Sequence, residues 1–82
     1  MATIVVRAQW DREASVWVAE STDLPGLLTE ADTLQLLAAK LPDMIRDLVE
    51  PPDNASGREI EVNVEVIASI STLAKVRIPK AA

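Results

Sequence analysis

The side chains of this sequence that could do chemistry are mainly carboxylates. Asp11, Asp23 and Asp32 lie outside the apolar runs, and converging carboxylates can bind Mg²⁺ and support metal-assisted hydrolysis. Each of the three, however, lies beside a turn or a helix start, where an Asp side chain accepts hydrogen bonds from backbone amides. We therefore predict structural roles for them, with no metal site and no catalytic residue.

Other catalytic groups are missing from the composition. The 82 residues include no His, Cys or Tyr, so the commonest general bases and nucleophile–base pairs cannot form. Gly26 and Gly57 are the two glycines, too few for a dinucleotide-binding fingerprint or a phosphate-binding loop. We expect neither an enzyme nor a cofactor.

The charge favours a protein partner. Thirteen acidic residues against eight basic ones give a net charge of −5, which disfavours direct nucleic-acid binding and suits a basic protein. Glu61 and Glu65 on the solvent side of a strand are candidate interface residues, although a solvated, aggregation-resistant strand face is the favoured explanation of both. Trp10 and Trp17, the two aromatic residues, are candidate subunit anchors or ordinary hairpin packing.

Alternating apolar and polar residues predict strands over 2–10, 15–21 and 59–70. The alternation continues over 73–79, which predicts either a short edge strand or an exchange onto a neighbouring subunit. Residues 50–57 have the composition of a helix stop and loop. We expect one domain over 1–82, and a homodimer or higher homo-oligomer because a chain this short builds a small core.

A tight turn and a helix cap position these elements. Pro25 and Gly26 fit the two central positions of a type II turn, and Asp23 stands just before it to stabilise it. Asp32 or Thr33 can cap a helix over 33–49. The helix has an apolar stripe and a proline inside it, which predicts a kink. The stripe consists of Leu34, Leu37, Ala38, Leu41, Ile45, Leu48 and Val49.

The start of the sequence has no basic region followed by an apolar signal core, and no apolar run of about 18 residues is present. We therefore expect a cytoplasmic protein without membrane contact.

The order of these motifs resembles the HicB-like antitoxin family. Val18-Ala19 leads to the turn Asp23-Leu24-Pro25-Gly26, and then come Thr29 and the helix start Asp32-Thr33-Leu34. The match covers roughly residues 2–50 and is nearest to a short branch of unsettled function that lacks a DNA-binding module. Ala31 departs from the pattern, because the family often has Gly there.

This resemblance implies an α+β, partial ribonuclease-H-like fold. It consists of an antiparallel sheet of three to four strands with one kinked helix packed on one face. It also implies an antitoxin that masks a small basic toxin similar to HicA, which cleaves messenger RNA. The alternative is an orphan domain that oligomerises or binds another protein without a toxin. RNA binding or residual nuclease activity is a further alternative, which the acidic charge opposes.

Overall fold

The computed structural model describes residues 2–50 and 59–80. These residues form an α+β fold with a four-stranded mixed sheet and one helix. Its elements in chain order are β1 (Ala2–Asp11), β2 (Val16–Glu20), β3 (Leu28–Ala31), α1 (Leu34–Val49) and β4 (Val62–Ser69). The strands lie in the order β3-β2-β1-β4. Most of the predicted loop over 50–57 lies outside the described residues.

The β1–β2 hairpin closes through Asp11. Its Oδ1 accepts hydrogen bonds from the N–H groups of Glu13 and Ala14 at 3.0 and 3.2 Å. Its carbonyl accepts from the N–H of Ser15 at 2.8 Å, and Ser15 takes a φ of 56°. This carboxylate is therefore engaged in the turn.

The direction of β4 corrects the prediction of an antiparallel sheet. β2 runs antiparallel to both β1 and β3, whereas β4 runs parallel to β1. The predicted set of strands lacked β3. If only two strands preceded the helix, the strand after the helix would run antiparallel to β1. Because a third strand precedes the helix, β4 runs parallel to β1 instead. The mixed sheet is thus a consequence of the four-residue strand β3.

Thr33 caps α1. Its Oγ1 accepts a hydrogen bond from the N–H of Leu36 at 3.0 Å, while Asp32, the other candidate cap, is exposed and precedes it. Pro42 lies inside α1 and does not divide it. A bend at Pro42 stays a prediction.

The core lies between α1 and one face of the sheet. It is built from the apolar stripe of the helix, the inward-facing residues of β1 and β2, and the residue just before β3. Its buried members are Val6, Ala8, Ala19, Leu27, Leu37, Leu41 and Ile45. Leu48 and Val49, at the end of the predicted stripe, stay exposed.

Residues 73–79 pair with no strand of the described chain, so the edge strand predicted there is not formed within one copy. β4 ends at Ser69 beside Gln9 of β1, and β1 then turns into the hairpin. A strand beyond the hairpin tip has no neighbour to pair with, and we call residues 70–80 the C-terminal arm.

Candidate protein-interaction surface

The loop after β2 is tied to β1 by two polar side chains. Ser21 Oγ donates a hydrogen bond to the carbonyl of Val5 at 2.6 Å and accepts one from the N–H of Asp23 at 3.2 Å. Asp23 Oδ2 accepts one from the N–H of Val5 at 2.8 Å. These side chains satisfy backbone groups of β1 where its ladder with β2 has ended at Glu20. Asp23 thus holds the loop on the sheet by binding Val5, which is 18 residues away in the sequence. The sequence placed Asp23 beside a turn and did not indicate this contact.

The next turn has the backbone geometry that Pro25 and Gly26 favour. The N–H of Leu27 donates to the carbonyl of Leu24 at 3.1 Å, and Gly26 has a φ of +96°. A residue with a Cβ is strained at such an angle. The turn sends Leu27 into the core and starts β3.

The three aspartates considered for a metal site do not meet. Asp11 serves the hairpin, Asp23 serves β1, and Asp32 lies before the helix cap. Within residues 2–50 and 59–80 there is no cluster of three or more metal-ligating side chains.

The two tryptophans lie side by side on the helix side of the sheet. Trp10 and Trp17 are opposite each other in the β1–β2 register, with ring centroids 5.4 Å apart and an interplanar angle of 62°. Trp17 packs against the core, and both are half-buried. An edge-to-face pair of this kind stabilises a hairpin. Their position separates them from Glu65, which lies on the opposite face.

The face of the sheet away from α1 carries a group of carboxylates, and we call it the open sheet face. Glu65 is opposite Val5, and the same side of the sheet carries Glu20 on β2 and Glu30 on β3. Arg7, between Glu20 and β4, is the basic residue of this face. All four of these charged side chains are exposed, and no described helix covers them.

Glu20 and Glu30 were missed by the sequence reasoning. Glu20 follows the buried Ala19, and strand alternation alone assigns it to the opposite face. Glu30 could not be assigned in the same way, because β3 was not counted among the strands. Glu61 is exposed and precedes β4 by one residue.

The outer edge of β4 is a second surface that could bind a partner. β4 pairs with β1 on one side only, so its other side presents backbone groups without a strand partner in the described chain. The arm continues from this edge strand past the hairpin, where Arg12 Nη2 donates to the carbonyl of Ser71 at 3.3 Å. The open sheet face, the β4 edge and the arm are therefore candidate surfaces for protein contact, and β3 is the other edge strand of the described sheet.

Comparisons with known proteins identify relatives without a stated activity. A family model described as "Domain of unknown function (DUF1902)" matches residues 3–78. The crystal structure of hypothetical protein TTHA1013 from the extremely thermophilic bacterium Thermus thermophilus is similar, with 45% sequence identity and a TM-score of 0.67. The similarity covers 87% of this chain and 97% of that one. The search of curated proteins gives no match.

Neither relative carries a HicB-like description, so that resemblance stays a prediction. No helix within the described ranges is long and apolar enough to cross a membrane.

Proposed function

The chain belongs to the DUF1902 family, a domain of unknown function, and on this premise we propose that it is a non-enzymatic binding protein of the HicB-like antitoxin type. It neutralises a small basic toxin that cleaves messenger RNA, through protein–protein contact. The observation that carries the proposal is the open sheet face, where Glu20, Glu30 and Glu65 lie on three different strands.

The charges of this face suit a basic partner. The three glutamates are exposed, and within the described chain none of them forms a salt bridge. Arg7 offsets a single negative charge. Complementary charge accelerates association and disfavours wrong partners more than it adds affinity. The half-buried Val5 and Val18 lie among the carboxylates and offer apolar surface for the centre of an interface.

We further propose that the fold is a partial ribonuclease-H-like one. The succession of a hairpin, a Pro-Gly turn, a third strand, a capped helix and a last strand supports this relationship. Fold similarity does not by itself assign an activity. No metal site and no catalytic role are assigned to Asp11, Asp23 or Asp32, because the first two carboxylates accept backbone hydrogen bonds and the exposed Asp32 does not join them in a cluster.

The second candidate function is an orphan domain that oligomerises or binds another protein, with no toxin partner. The arm favours it, because Leu73, Val76 and Ile78 are 71–86% exposed. Apolar side chains in such a segment indicate a surface that another chain covers.

The test is recovery of the tagged protein from its native host at moderate salt, followed by mass spectrometry and a growth assay for each small basic protein that is retained. The proposal expects a toxic protein whose effect is relieved by co-expression of this chain. Recovery of the chain alone supports the orphan domain instead.

Charge reversal locates the contact. Glu20→Lys combined with Glu30→Lys should abolish relief of toxicity without unfolding the protein, because both side chains are exposed. Glu61→Lys with Glu65→Lys tests the first two interface candidates in the same assay. The matched control is Asp47→Lys with Glu50→Lys, which makes the same change in net charge at the end of α1. Equal loss of relief in the control would refute the open sheet face as the contact.

A further inference from the structure

We propose that the arm of each copy pairs with the outer edge of β4 in a second copy, so that two chains exchange arms about a two-fold axis near Ser71. Each four-stranded sheet then gains residues 72–80 of its partner as a fifth strand. This arrangement holds whether or not a toxin is bound, and it goes beyond the proposed function.

The shape of the chain shows that the arm projects away from the body. A strand rises about 3.3 Å per residue, so residues 59–80 in extended form span about 70 Å, close to the longest dimension of the chain, 74 Å. The radius of gyration is 18.3 Å, whereas a compact chain of this length has about 12 Å. Beyond Ser71 the arm is therefore exposed and packs against no other part of the described chain.

The exposed area is large enough for a stable dimer. The accessible surface is 6947 Å², while a compact protein of this mass exposes about 4,800 Å². The excess per chain, about 2,000 Å², exceeds the roughly 800 Å² that each partner buries in a typical specific interface. Association with a second copy would cover surface that a monomer leaves in water.

The lengths of the two segments match. β4 contains eight residues and presents an unpaired edge over that length, and the arm beyond Ser71 offers residues 72–80. Because the arm directly continues β4, a two-fold axis between them brings each arm antiparallel to the other copy's β4. Such an isologous contact closes after two copies.

The two faces of the arm match the two faces of β4. Val62, Val64 and Val66 are half-buried on one side of β4, and Asn63, Glu65 and Ile67 lie on the other. Residues directly opposite in an antiparallel pair share a face. With the axis at Ser71, Val76 lies opposite Val66 and Ile78 opposite Val64. A shift by one residue would exchange the two faces.

The charges agree with the same register. Lys75, Arg77 and Lys80 are the charged residues that follow Glu65 in the sequence, and all 13 acidic residues come before them. The arm is thus basic and the rest of the chain acidic. In the proposed register Arg77 lies opposite Glu65 of the second copy, which gives this carboxylate a salt-bridge partner that it does not have among the described residues of its own chain.

Oligomeric state tests the proposal. By size-exclusion chromatography with light scattering, the full chain should be a dimer, and Val76→Pro should be a monomer with unchanged helix signal in circular dichroism, because proline removes a ladder donor outside the core. The matched control is Leu36→Lys on α1, an exposed leucine at 56%, which should remain a dimer. A monomeric full chain, a dimeric Val76→Pro or a monomeric Leu36→Lys would each overturn the proposal.

Charge reversal tests the pairing itself. Glu65→Lys and Arg77→Glu should each weaken dimerisation about tenfold or more, because the contact occurs twice per dimer and like charges then lie opposite each other. The combined variant should recover most of the affinity. If the combined variant is no tighter than the weaker single variant, Arg77 does not lie opposite Glu65.

Engineered disulfides test the register. The chain has no cysteine, so Ile67→Cys with Lys75→Cys introduces the only thiols, and the two positions lie opposite each other between copies. Opposite residues of an antiparallel pair have Cα atoms about 4.5–5.5 Å apart, within reach of a disulfide. The control, Ile67→Cys with Val76→Cys, places the thiols on opposite faces. Absence of a cross-linked dimer in the first variant, or equal cross-linking in both, would overturn the register.

Discussion

Replacing Ser21 with alanine tests how the loop after β2 is held on the sheet. Ser21 is 8% exposed, and its hydroxyl is the partner of both the Val5 carbonyl and the Asp23 N–H. Ser21→Ala leaves these two backbone groups without that partner and adds no new contact.

Both hydrogen bonds that are lost are only part-buried, so we take their combined cost as that of one fully buried group. Loss of a partner for a buried polar group costs about 1–3 kcal/mol. A domain of 82 residues has a total stability of about 4–12 kcal/mol, so the substitution removes a large part of it. At roughly 4–8 °C per kcal/mol, we expect the Tm to fall by about 5–20 °C.

The assay is thermal unfolding followed by circular dichroism at one fixed protein concentration, because association also raises the Tm. Thr22→Ala is the matched control, since Thr22 is the exposed neighbour of Ser21, and its Tm should change by less than about 3 °C. If the Tm of Ser21→Ala differs from the wild-type Tm by no more than the Tm of Thr22→Ala does, the proposed role of the Ser21 hydroxyl is refuted.

A double-mutant cycle with Asp23→Ala extends the test. Both side chains hold Val5, through its carbonyl and its N–H respectively, and Ser21 also accepts from the Asp23 backbone. Substitutions in one hydrogen-bond network are not additive. We expect the double variant to lose less stability than the sum of the single losses, and strict additivity would show that the two residues act independently.

Two further substitutions test local backbone geometry by the same thermal assay. Gly26→Val places a β-branched residue at a φ of +96°, so we expect a loss of about 1–3 kcal/mol, and an unchanged Tm would contradict the turn. Pro42→Ala restores a helical N–H in the interior of α1, so we expect a gain of about 1–3 kcal/mol, and a lower Tm would show that α1 depends on the proline.

Local patterns predicted several features of this protein because neighbouring residues determine them. The hairpin strands follow from alternation, and the position of Gly26 follows from the backbone freedom that a turn requires. The stripe that includes Leu37, Leu41 and Ile45 follows from helical periodicity. The start of α1 was narrowed to Asp32 or Thr33, and the hydrogen bond from Leu36 selects Thr33.

Other features depend on residues far apart in the chain. The partner of Asp23 is Val5, and no local pattern indicates a contact across a hairpin. The acidic open sheet face required β3, a four-residue strand with weak alternation, because Glu30 joins Glu20 on that face only through the β2–β3 register.

The sequence by itself determined the local elements other than β3, the acidic balance and the basic residues of the arm, since composition and periodicity need no knowledge of the fold. Only the tertiary structure decided that β4 runs parallel to β1 and that the arm extends past the hairpin. It also decided that the carboxylates and the tryptophans lie on different faces of the sheet. The physical reason is that strand direction and sheet order depend on the number of strands before the helix. The lack of a neighbour for the arm depends in turn on where β1 ends.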